Sequence, residues 1–176
     1  MILLDATAFA LLINPKASPP IDPATGLAVV RAGDRFAFLQ RQTESDGETI
    51  VIPTPALAEV LVSLEDQGPA VLERIGRSAR FKIAPFDTMA AAEVAAMTRD
   101  AIRAGNKRAG SDAPWQKVKI DRQIIAIART QGAERIYSDD QNLGSFAERL
   151  KMTVVRTWEM PLPPEDPQGS FGFPDE

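Results

Sequence analysis

Four acids, and a fifth beside the last, stand where a surface role explains them poorly. Asp5 directly follows the apolar run Ile2-Leu3-Leu4, with no base before Lys16. Asp140, with Asp139 next to it, follows Arg135-Ile136-Tyr137-Ser138. Glu59 lies in a segment opened by Thr54-Pro55, and its helical neighbours Pro55, Ala56, Val62 and Ser63 include no base. Asp121 shares a helical face with Val118, Ile125 and Ala128. A carboxylate on such a face is costly unless its charge is compensated.

Each acid also has an ordinary reading. Asp5 and Asp140 each suit a helix N-cap, and Asp139 is equally placed for that job. Glu59 reads as an exposed glutamate, and Lys117, one turn earlier, can pair with Asp121. Taken together, the acids suggest a cleft in which like charges repel and raise one another's pKa. A hard divalent cation relieves that repulsion, and oxygen-only ligands favour Mg²⁺ or Mn²⁺.

Composition narrows the chemistry. The 176 residues include no cysteine and no histidine, which excludes thiol nucleophiles, zinc-thiolate centres and histidine bases. Net charge is −4, and residues 161–176 account for it through Glu165, Asp166, Asp175 and Glu176. The neutral body does not signal nucleic-acid binding by bulk charge, so such a role needs a local patch. The dense basic stretch runs from Arg99 through Arg103, Lys107, Arg108, Lys117 and Lys119 to Arg122, against Asp100, Asp112 and Asp121. Lys117, Lys119 and Arg122 are the candidate phosphate contacts, and Trp115 is a candidate platform for a stacked base. The plain alternative is a solvated loop anchored by the tryptophan.

The elements that must position these residues alternate. Short apolar runs at 2–4, 49–52, 81–84, 135–137 and 153–155 read as strands. Helices are expected over 34–42, 55–66 (Thr54 as N-cap), 69–78, 88–104, 115–131 and 141–149. Prolines and glycines mark loops at 15–26 and 105–114. The class is α/β with a mainly parallel sheet, whose sites form at the C-terminal strand ends. Residues 1–160 form the domain, and 161–176 a Pro-rich acidic tail. No run reaches the length of a membrane span, and the N-terminus lacks a signal-peptide pattern, so cytoplasmic placement is expected.

The chain resembles PIN-domain proteins, and among them VapC-type toxins, over Met1–Thr7, Ile52–Leu61, Lys119–Ala128 and Ile136–Leu143. The resemblance implies a three-layer α/β/α sandwich and a Mg²⁺- or Mn²⁺-dependent endoribonuclease. Asp5, Glu59, Asp121 and Asp140 would be its catalytic, metal-holding acids, with Asp139 as a possible substitute. Thr7 and Ser138 would orient water or phosphate. It also implies an RNA substrate, a small cognate antitoxin and a homodimer. The sequence departs from the family's pattern at Asn142 and Leu143, where an acid and an aromatic are common. The competing readings are a non-catalytic PIN-like scaffold that binds RNA or protein, and a phosphatase using Asp5. The phosphatase reading lacks a supporting lysine motif.

Overall fold

A computed structural model describes residues 1–164. Five strands form one wholly parallel sheet: β1 (Ile2–Leu4), β2 (Ile50–Pro53), β3 (Phe81–Ala84), β4 (Arg135–Tyr137) and β5 (Thr153–Val155). Their spatial order is β3-β2-β1-β4-β5. β1 is therefore central, and Ile2, Leu3 and Leu4 are all fully buried. Covering such side chains contributes about 1.5–3 kcal/mol each. Leu3 alternates to one face of the sheet and Ile2 and Leu4 to the other.

Helices cover both faces, as buried parallel sheets require. α1 (Ala6–Ile13) and α2 (Ala32–Asp46) pack on the face of Ile2 and Leu4. α5 (Thr88–Arg103), α6 (Trp115–Thr130) and α7 (Gln141–Arg149) pack on the face of Leu3. α3 (Thr54–Leu64) divides its buried side chains, Ala56 toward one core and Leu57 and Val60 toward the other. α4 (Gly68–Arg77) follows it, and a 3₁₀ turn at Thr157–Glu159 follows β5.

All five expected strands and all six expected helices are present, with ends displaced by at most four residues. Thr54 is a correction: it is the first helical residue, and Pro53 is the N-cap. Its hydroxyl accepts the Phe86 N–H at 3.1 Å and thereby ties α3 to the segment after β3. The proposed 161–176 tail lies outside the described residues apart from its first four. Among the described residues, no helix is long and apolar enough to cross a membrane.

The sheet order places a topological switch between β1 and β4. From β1 the chain winds outward through β2 and β3, then returns to β4 on the other side of β1. The strand ends flanking a switch splay their following loops apart, and a crevice forms there. Asp5 follows β1 and Asp140 follows β4, so both acids lie at that crevice.

Candidate active site

Asp5 is the N-cap of α1, and its carboxylate accepts the Ala8 N–H at 2.8 Å. Its backbone N–H donates to the Tyr137 carbonyl at 3.1 Å, which locks the end of β1 to the end of β4. The residue is 5% exposed. Burial pushes its pKa up to about 7; hydrogen bonds from Ser138 and Ala8 oppose this, and the charges of Asp139 and Asp140 add to it.

Asp121 reaches the same crevice from α6. It is 6% exposed, on the face that also buries Val118 and Ile125. Burial pushes its pKa up to about 6, Lys117 opposes, and Asp140 and Glu59 add to the rise. Asp140 caps α7 and accepts the N–H groups of Asn142 and Leu143 at 2.8 and 2.9 Å. Burial works against its charge, yet the Lys117 hydrogen bond and these two N–H groups hold its carboxyl below the usual carboxylate range.

Asp5 and Asp140 are thus helix caps that also lie at the crevice. A helix N-terminus directs its free N–H groups at the cap, and the strand before it ends at the crevice. Glu59 is exposed on α3, on the rim. It lines a shallow recess of about 260 Å³ with Thr7 and Ser18. Thr7 is exposed, whereas Ser138 is 2% exposed, and its hydroxyl accepts the Asp140 N–H at 3.2 Å.

Asp139 and Asp140 are separated by their partners. The Asp139 carboxylate accepts the Thr157 N–H at 2.7 Å and the Thr157 hydroxyl at 2.5 Å. It ties the end of β4 to the turn after β5, which leaves Asp140 facing Lys117. Arg156, which is not among the sequence candidates, braces the same turn. Its guanidinium donates to the carbonyls of Ser138 at 2.7 Å and Asp140 at 2.9 Å. Nothing local in the sequence signals it, because its partners lie on another element.

The basic stretch is redistributed. Lys117 joins two acids: its Nζ lies 2.5 Å from Asp140 and 3.5 Å from Asp121. Arg122 is a correction to the expected phosphate contacts. It is 1% exposed, donates to Thr98 and to the Lys107 carbonyl, and lies against the Trp115 and Phe146 rings at 5.4 and 5.1 Å. Its Nε is buried without a partner. The Trp115 ring already carries Arg122, and Lys107 at 5.0 Å, so it is not a bare stacking platform. Lys119 is exposed. Asn142, at one departure from the family pattern, accepts the Ser111 hydroxyl at 2.9 Å and pins the 105–114 loop. Leu143, at the other, is buried in the core.

The donor set meets part of what a divalent cation needs. Its oxygen-only chemistry fits, and burial disfavours ionisation of Asp5 and Asp121 in a way that a nearby cation would reverse. Among the described residues, however, no three acids are grouped as a ready metal cluster. The cation that the arrangement does contain is the Lys117 ammonium.

No protein-family model matches the chain, and no curated protein matches it by sequence. Solved structures do match in fold. VapBC2 from Rickettsia felis, bound to a DNA fragment from its promoter, aligns at TM-score 0.55 and 15% identity, over 89% of this chain and 98% of that one. DNA-bound VapBC from Salmonella typhimurium aligns at 0.54 and 17%, over 89% and 97%. Mycobacterium tuberculosis VapC20, a sarcin-ricin-loop-cleaving toxin, aligns at 0.50 and 14%, over 82% and 94%. The chain shares its fold with these VapBC and VapC structures.

Proposed function

We propose that this protein is a Mg²⁺- or Mn²⁺-dependent endoribonuclease and the toxin of a type II toxin–antitoxin pair. What carries the reading is that Asp5 and Asp140 both follow strands at the β1/β4 switch while Asp121 shares the Lys117 ammonium with Asp140, and that burial disfavours Asp5 and Asp121 as bare anions. The fold shared with a toxin that cleaves the sarcin-ricin loop supports the reaction class. VapBC complexes among the matching structures support a small antitoxin as partner. A homodimer and a cytoplasmic location belong to the same reading.

Asp5, Asp121 and Asp140 would hold the metal, with Glu59 at the rim. Bound there, a divalent ion supplies an activated water and stabilises charge on the leaving oxygen. The chain's own parts do the positioning. The α1 and α7 N-termini fix Asp5 and Asp140 through their first-turn N–H groups. Ser138 holds the β4 turn through the Asp140 N–H, and Arg156 holds it through two carbonyls. Thr7, exposed beside the recess, would donate to a phosphate oxygen.

The test is RNA cleavage by the purified chain with Mn²⁺ or Mg²⁺, compared with Asp5→Asn and Asp140→Asn. Each substitution is expected to lower cleavage at least ~100-fold, in line with loss of a charge-stabilising group, and chelation to abolish it. Equal cleavage by all three proteins would refute the reading. RNA binding without cleavage would favour the scaffold.

A further inference from the structure

We propose that Lys117 is a built-in counter-cation whose ammonium occupies the position between Asp121 and Asp140 and must withdraw for a divalent ion to bind there. The inference rests on the metal site proposed above and adds a residue that gates it.

The geometry is specific. Lys117 lies one turn before Asp121 on α6, so the helix itself aligns the pair. The second partner, Asp140, comes from the far side of the crevice at the start of α7. One nitrogen thus lies within 3.5 Å of acids from two elements. Among the described residues, no other base pairs with the Asp121 or Asp140 carboxylate, and Arg156 meets Asp140 only at its backbone carbonyl.

The contact is also built to open. The Lys117 side chain is 45% exposed, against 9% for Asp121. Its flexible four-carbon stem gives the ammonium a route to water. Arg156 provides the contrast: it touches the same turn through backbone carbonyls, from a side chain only 8% exposed. Arg156 is a fixed brace, whereas Lys117 is a removable plug. Asp140 keeps its two backbone N–H donors when Lys117 leaves, so the carboxylate stays oriented.

The experiment is Mn²⁺ titration of the full chain, read by the electron paramagnetic resonance of free Mn²⁺. Wild type, Lys117→Met and Asp121→Asn are compared, with circular dichroism to verify folding. Lys117→Met is expected to bind Mn²⁺ roughly 2- to 5-fold more tightly, the range for losing a partly exposed ion-pair competitor. Asp121→Asn is expected to bind at least ~10-fold more weakly. A second readout uses wild type alone: acetylation of Lys117 by acetic anhydride, followed by peptide mass spectrometry, is expected to accelerate on Mn²⁺ saturation. This decides the matter if Lys117→Met does not fold. If Asp121→Asn loses Mn²⁺ while Lys117→Met binds it no more tightly, or if Lys117 acetylation is unchanged by Mn²⁺, the gate is refuted and the metal site stands. If wild type and Asp121→Asn bind Mn²⁺ equally, or neither binds it, the metal site and the gate both fail.

Discussion

Asp5 performs opposing tasks: it caps α1 as an anion acceptor, yet burial disfavours its charge. Asn is also a good N-cap, so Asp5→Asn keeps the cap and removes the ionisable group. The carboxyl titrates near 7 in the folded chain against the usual 3.8. Folded protein therefore holds more protons than unfolded protein between those values, and stability falls as pH rises from about 4 to 7. In a chelator, Asp5→Asn is expected to match wild type near pH 4 and to melt at higher temperature above pH 7. A thermal series across pH checks this, and a constant difference at every pH would count against the burial argument. At this scale the sequence was informative about acids and poor about partners. Lys117 with Asp121 follows from helical spacing. Lys117 with Asp140, and Asp139 with Thr157, required elements distant in sequence to meet. The same blindness placed Arg122 among phosphate contacts, although its neighbours Thr98, Trp115 and Phe146 draw it inside.

Among the elements, α7 shows how the site turn is held. Gly144 lies on its first turns, and a Cβ there would overlap the Arg156 guanidinium. Gly144→Ala gains about 0.5–1 kcal/mol in helix propensity, but it displaces the group that binds the Ser138 and Asp140 carbonyls. The overlap and lost hydrogen bonds are expected to prevail, for a net loss of about 1–3 kcal/mol by urea denaturation. An unchanged or raised midpoint would show that Arg156 moves aside freely. The elements themselves were readable, because alternating short apolar runs and helical stretches leave few other classes. Their ends were less so. Thr54 looks like a cap until the Phe86 N–H claims its hydroxyl. α2 begins at Ala32, earlier than periodicity implies, where Gly33 lets the Pro15 backbone approach closely.

For the whole molecule, the decisive feature is strand order. Sequence pattern indicates a parallel sheet but not which strand lies beside β1, and only that order turns Asp5 and Asp140 into neighbours. A ligand held at this seam stabilises the folded chain by mass action. Mn²⁺ at about 100 times its Kd adds about 2.7 kcal/mol, and the melting temperature is expected to rise by roughly 5–10 °C for a chain of this size. Differential scanning calorimetry with and without chelator measures it; the same shift in Asp121→Asn would place the binding elsewhere. The capping pattern has a practical corollary. The amide protons of Ala8, Asn142 and Leu143 each point at a carboxylate of the crevice, at 2.8, 2.8 and 2.9 Å. In a ¹H–¹⁵N spectrum, those three resonances are native reporters of whatever charge arrives or departs, with no label, substrate or turnover needed.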